Sequence, residues 1–148
     1  MLQRIVRLSE LPAFVADLLA YYPNGVVCGL TGPLGAGKTE LVRHVLAALA
    51  ARSGTAPPRA TSPTFTLHNR YPGPPCVDHF DLYRLDHADA RALAEMGYTD
   101  AVTENRAAGG YVFVEWPERA DARALGLQAR LVIEVLTEGA RRFTLSAE

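Results

Sequence analysis

Eight consecutive residues, Gly32-Pro33-Leu34-Gly35-Ala36-Gly37-Lys38-Thr39, follow the pattern Gly-x-x-x-x-Gly-Lys-Thr/Ser. These residue types in this order can hold a polyphosphate. Glycines let the backbone curl so that successive N–H groups face phosphate oxygens. Lys38 adds a compact positive charge that can reach the β- and γ-phosphates, and the Thr39 hydroxyl can ligate magnesium. A helix starting near Lys38 would aim its free N–H groups and the positive end of its dipole at the same anion. The loop therefore implies ATP or GTP bound with Mg2+, with Gly32, Pro33, Leu34, Gly35, Ala36, Gly37, Lys38 and Thr39 as contact residues. The chain has fifteen basic residues, and reading along it finds one lysine, Lys38. Elsewhere it uses arginine, a broad planar fork that does not replace a point charge on a thin stem.

Hydrolysis needs more than a phosphate cradle: an acidic group near the metal and something to position water. Tyr111-Val112-Phe113-Val114-Glu115 is an apolar run ending in a carboxylate. If it forms a strand parallel to Val26–Leu30, Glu115 reaches the ligand-binding edge of the sheet and can help hold magnesium. In His79-Phe80-Asp81-Leu82-Tyr83-Arg84, a period of two puts His79, Asp81 and Tyr83 on one face. Asp81 is the candidate to orient or deprotonate the attacking water. His79 reads as a packed, hydrogen-bonded histidine and Arg84 as half of a surface ion pair. Thr61-Ser62-Pro63-Thr64 lies between the loop's helix and this strand. A threonine there can sense the γ-phosphate and metal, although as a bare loop the segment is an ordinary Ser/Thr/Pro turn. Trp116 suits packing over the site, an interface or the core.

The elements that must position these groups alternate between strand and helix. Arg4–Leu8 suggests a short strand, and Ser9 a cap for a helix running to about Tyr22 with Phe14, Val15, Leu18 and Leu19 on its apolar face. Val26–Leu30 has the continuous apolar character of a buried central strand. Glu40–Arg52 carries Leu41, Val45, Leu46 and Leu49 at helical spacing. Asn69–Pro75 reads as a turn region, Val77–Leu85 as a strand with a connector, and Ala88–Met96 as a helix ending at Gly97. Leu131–Leu136 and Arg142–Leu145 flank Thr137-Glu138-Gly139-Ala140 as a terminal hairpin. The expected class is α/β: a mostly parallel, P-loop NTPase-like sheet flanked by helices, with an antiparallel C-terminal hairpin, all in a single domain over 1–148.

Bulk properties narrow the function classes. A net charge of −1 gives no large basic face for charge-driven RNA binding. Cys28 and Cys76 stand alone, without the paired spacing of a zinc site or disulfide framework. Neither a signal-peptide core nor an apolar run of membrane-spanning length occurs, so a cytoplasmic protein with no membrane partner is expected.

Taken together, Thr31–Thr39, Ser62-Pro63-Thr64-Phe65, His79–Leu85, Glu95-Met96-Gly97 and Val114-Glu115-Trp116-Pro117-Glu118 occur in an order that resembles the TsaE (YjeE) family of small bacterial ATPases. The resemblance extends over nearly the whole chain, to Gly139-Ala140-Arg141-Arg142. The flanking segments carry it, since the glycine loop is common to many families. It implies an ATPase acting with TsaB and TsaD in the threonylcarbamoyl modification of tRNA adenosine 37. TsaD would perform the transfer, and ATP hydrolysis by this subunit, weak alone and stimulated by partners, would reset the assembly. The tRNA would be contacted only through the complex. Carried over residue by residue, Thr39 and Glu115 would ligate Mg2+, Asp81 would be the catalytic carboxylate, and Ser62–Thr64 a switch-like loop. Trp116 would lie near the nucleotide, and the adenine between Leu8 and Arg141–Arg142. Two departures stand out. Pro33-Leu34 occupies a stretch where an acidic residue is common before the leucine, and Glu40 replaces the usual Thr or Ser, a charge that would repel phosphate if it pointed inward. A small nucleoside or metabolite kinase is the alternative, although the arginines are scattered along the chain rather than gathered in a lid after a substrate loop. A nucleotide-gated scaffold without turnover is a third reading, against which Asp81 and Glu115 speak.

Overall fold

A computed structural model describes residues 1–137 and 139–148; Glu138, part of the expected hairpin turn, lies outside the described residues. The strands are β1 (Leu2–Arg7), β2 (Val26–Thr31), β3 (His68–Tyr71), β4 (Val77–Asp81), β5 (Tyr111–Glu115), β6 (Ala129–Thr137) and β7 (Ala140–Ala147). The helices are α1 (Leu11–Tyr21), α2 (Lys38–Arg52), α3 (Ala90–Glu95), α4 (Tyr98–Ala108) and α5 (Ala122–Leu125), with 3-10 turns at Leu8–Glu10 and Pro117–Arg119.

The strands form one seven-stranded sheet in the order β1-β7-β6-β2-β5-β4-β3. Its centre, β6-β2-β5-β4, is parallel, as the continuous apolar runs of β2 and β5 require of strands covered on both faces. The α/β class and the antiparallel β6–β7 hairpin match the sequence expectation. The hairpin does not form an edge, however. β6 lies beside β2, and β7 pairs with β1, so residues from the two ends of the chain close that side of the sheet.

Alternation along the strands sorts side chains into two cores. Val26, Cys28 and Leu30 pack with Phe14, Val15, Leu18 and Leu19 of α1 and Leu41, Val42, Val45 and Leu46 of α2. Val27, Val112 and Val114 face the other way, against Leu93, Tyr98, Ala101 and Val102. Phe14 meets Phe143 of β7 edge-on, with ring centroids 4.7 Å apart, a geometry the aromatic quadrupole favours. Among the described residues no helix is long and apolar enough to cross a membrane.

Two local expectations are corrected, and one helix is added. Ser9 does not cap α1. The entry is a 3-10 turn in which the Glu10 carboxylate accepts from the Arg7 backbone N–H at 2.8 Å. Asn69–Tyr71 is not turn but part of β3, an edge strand whose polar residues face solvent or ion pairs. Tyr98–Ala108 forms α4, which places Tyr98, Ala101, Val102 and Asn105 inward at helical spacing despite a polar sequence of modest helix propensity.

β3 is tied in by a buried carboxylate. Asp78 has no exposed surface and accepts from Arg70 Nε at 2.9 Å, Arg70 Nη2 at 3.0 Å, Asn105 Nδ2 at 2.6 Å and the His68 ring at 2.5 Å. Burial pushes this carboxyl up, but the hydrogen bonds from His68, Arg70 and Asn105 outweigh it and hold the group well below the usual carboxylate range. A depressed folded-state pKa contributes stability above the unfolded carboxylate value of about 4 and loses it as pH falls. Asp78→Asn should therefore cost about 3 kcal/mol at neutral pH, as loss of a buried, hydrogen-bonded partner does. The gap from the parent protein should narrow below pH ~4. Urea melts of both proteins across pH check this.

Candidate active site

β2 runs straight into the glycine loop, and α2 leaves it. The turn needs glycine at two points: Gly35 and Gly37 have φ of +75° and +108°, and a Cβ at either would stand in open space. The constraint there is backbone conformation, which only glycine adopts at little cost. Gly37 is the N-cap residue immediately before α2, so the helix's free N–H end opens onto the loop.

Lys38 is only 5% exposed. Its ammonium donates to the carbonyl oxygens of Gly32 at 2.6 Å and Pro33 at 2.9 Å, and lies 4.4 Å from the centre of the Trp116 ring. Desolvation pulls its pKa below the ordinary lysine value, while Glu115, Asp81 and Glu118 push the other way. Trp116 holds a left-handed backbone conformation, φ +58°, which is costly for a side chain of that size. The next residues can turn tightly under the sheet because Gly29 has no side chain: a Cβ there would sit 2.7 Å from Leu127 and 3.1 Å from Pro117.

The parallel register brings the acidic groups to this edge. Leu30 pairs with Glu115, and Glu115 with Asp81, so the last residues of β5 and β4 lie side by side next to the loop. Both carboxylates are 3% exposed. Glu115 Oε2 accepts from Thr39 Oγ1 at 3.1 Å. Asp81 Oδ2 accepts from Thr64 Oγ1 at 2.7 Å, and Asp81 Oδ1 from the Tyr83 backbone N–H at 2.9 Å. Ser62 Oγ lies 2.8 Å from Thr64 Oγ1. Thr61–Thr64 is thus an outer wall of the site, fastened to Asp81.

One cavity of about 340 Å³ is lined by Leu34–Thr39, Ser62, Thr64, Asp81, Glu115 and Trp116. Gly32 and Pro33 lie behind it and contribute the carbonyls that hold Lys38. A second cavity of about 340 Å³ shares Gly35–Gly37 and Glu40 with the first and extends to Leu8, Arg141 and Phe143. Arg141 Nε donates to the Ala36 carbonyl at 3.2 Å, tying β7 to the loop. Arg142, grouped with Arg141 in the sequence reading, points to the opposite face by strand alternation and pairs with Glu134 at 3.5 Å. Glu40 forms an ion pair with Arg43, which offsets the phosphate repulsion its charge threatened.

Sequence reasoning missed Tyr83 as part of the site. It lines the cavity, and its ring lies 5.0 Å from that of Trp116. His79 is packed and hydrogen-bonded as expected, and its partner is Glu115, with Nε2 2.6 Å from Glu115 Oε2. The period-two pairing of His79 with Asp81 was the available signal. Another groove, between the end of α2 and Pro72–Pro75, has no acid, lysine, arginine or histidine in its lining.

The donors fit the groups that the loop implies. Thr39 hydroxyl and Glu115 carboxylate are hard oxygen donors of the kind Mg2+ takes together with phosphate and water. The two joined cavities have the size of a small-molecule site, charged at one end and more apolar at the other.

A parallel sheet that passes through a glycine loop into a helix, with carboxylates on the adjoining strand ends, defines a P-loop protein of the nucleotide-binding, ATPase type. The family model described as "Threonylcarbamoyl adenosine biosynthesis protein TsaE" matches residues 6–143. The chain belongs to the TsaE family, whose place is in a tRNA modification. The crystal structure of YdiB from Bacillus subtilis is similar, with a TM-score of 0.64 and 26% identity, covering 99% of this chain and 84% of that one. A comparison with curated proteins finds no match.

Proposed function

We propose that this chain is a Mg2+-dependent ATP hydrolase that works in the cytoplasm with TsaB and TsaD in threonylcarbamoyl modification of tRNA adenosine 37. The observation that carries the hydrolase reading is the convergence of Lys38, Thr39, Thr64, Asp81 and Glu115 on one cavity. Gly32–Thr39 and the α2 N-terminus cradle the phosphates, and Lys38 exchanges its carbonyl contacts for phosphate oxygens. Thr39 and Glu115 would hold Mg2+, which neutralises charge developing on the transferred phosphoryl group. Asp81 orients and receives a proton from the attacking water. Thr64, hydrogen-bonded to Asp81, and Ser62, hydrogen-bonded to Thr64, report the γ-phosphate to the outer wall of the site. Leu8 and Arg141 bound the purine end, and Trp116 packs over Lys38.

The partner reading rests on family membership. Hydrolysis should be slow for the isolated chain and rise when TsaB and TsaD are added, and ATP should change how much of the chain is retained on immobilised TsaB–TsaD. A pull-down with and without ATP, paired with phosphate release, checks both. Rapid phosphoryl transfer to a small acceptor, indifferent to those proteins, would instead identify a kinase.

A further inference from the structure

We propose that His79 is a positioning residue: it holds the Glu115 carboxylate in the orientation that faces Thr39. This rests on the reading of Glu115 as a magnesium ligand. His79 sits in β4, paired in register with Phe113 of β5, and is 1% exposed. Its one hydrogen bond among the described residues is from Nε2 to Glu115 Oε2, at 2.6 Å. A carboxylate only accepts, so Nε2 carries the proton. In the neutral ring Nδ1 is then an acceptor, and Nδ1 is buried without a partner among the described residues.

The polar contact of the His79 side chain goes to a single group, Glu115. The hydroxyl of Thr39 and the ring of His79 both donate to Oε2. Two donors on one oxygen fix the plane of the carboxylate and leave Oε1 without a protein donor among the described residues, available to a cation or its water. Without His79, the carboxylate would turn about its terminal torsion, which is broad for glutamate. Metal sites commonly lose about 10–100-fold in affinity when such an outer partner is removed.

The test uses Trp116, the single tryptophan, as a fluorescent probe beside Lys38. The non-hydrolysable analogue adenosine 5′-(β,γ-imido)triphosphate is titrated with and without Mg2+ into the parent, His79→Leu, His79→Gln, Glu115→Gln and the double variant His79→Leu/Glu115→Gln. His79→Leu should leave metal-free affinity unchanged and cut the Mg2+ enhancement about tenfold. His79→Gln, whose amide can still donate, should recover most of it. In the Glu115→Gln background, His79→Leu should add nothing, since the two act as one unit. Chemical melts should show the leucine variant no less stable than the parent. If it does not fold, His79→Asn, too short to reach Glu115, takes its place with the same binding expectations. An undiminished Mg2+ enhancement in His79→Leu, alongside its loss in Glu115→Gln, overturns this inference alone. A parent protein indifferent to Mg2+, or a Glu115→Gln variant that keeps the enhancement, overturns the reading of Glu115 and this inference with it.

Discussion

Asp81→Ala protein should bind ATP about as tightly as the parent and hydrolyse it about 10²–10³-fold more slowly, the usual loss when a proton-transfer group is removed. Asp81 makes no hydrogen bond to the glycine loop among the described residues, its oxygens being taken by Thr64 and the Tyr83 N–H, so affinity for the nucleotide has little reason to change. Its two oxygens are anchored by Thr64 and by the Tyr83 N–H. The carboxylate is therefore held ready at the cavity wall rather than recruited on binding. Asp81→Asn separates charge from architecture. Its oxygen can still accept from Tyr83, and its amide can donate to Thr64, so the loop stays in place while the proton acceptor is lost. Both variants should fall to a similar rate in single-turnover phosphate release, with Trp116 fluorescence reporting that nucleotide still binds. Unchanged turnover in either would remove Asp81 from the reaction. Turnover lost in Asp81→Ala but kept in Asp81→Asn would reassign it to holding Thr64.

Lys38→Arg should fail nearly as badly as Lys38→Ala, each losing on the order of 10³-fold in kcat/KM, about 4 kcal/mol of transition-state stabilisation. Charge is retained in the arginine variant, so the loss is one of shape. The lysine stem enters a slot closed by the Gly32 and Pro33 carbonyls and roofed by Trp116 at 4.4 Å. A guanidinium is broader and needs a planar set of acceptors. To enter, it must lift Trp116 or deform the loop. Steady-state kinetics on the two variants checks this, and parent-like kcat/KM for Lys38→Arg would refute the shape argument. That result would also leave the single lysine of an otherwise arginine-only chain without a structural reason.

The glycine loop, β2 and α2 were legible because their signals are local. The apolar run, the positive-φ glycines and the helical spacing of Leu41, Val45 and Leu46 all lie within 27 residues. β3 and α4 were missed because burial, not propensity, decides them. β3 is an edge strand of polar residues secured through Arg70 and His68 to Asp78. α4 is held by packing Tyr98 and Val102 under the sheet. Strand ends were overrun for a related reason: Leu82 continues the apolar pattern of β4 after the ladder has stopped at Asp81.

The sequence by itself determined the phosphate cradle, the carboxylates at Asp81 and Glu115, and the family to which these segments belong, because each is a contiguous pattern. Only the tertiary structure decided who meets whom. Thr39 and Glu115 are 76 positions apart, Thr64 and Asp81 are 17 apart, and His79 and Glu115 are 36 apart. Their contacts depend on β5 inserting between β2 and β4 in parallel register, and the second cavity depends on β7 returning Arg141 to the loop. Side-chain pattern along a strand says which face a residue takes, by alternation. It does not say which strand lies beside it, since that follows from how the two apolar layers are covered. The pairing of His79 with Glu115 was therefore visible only once β4 and β5 lay side by side.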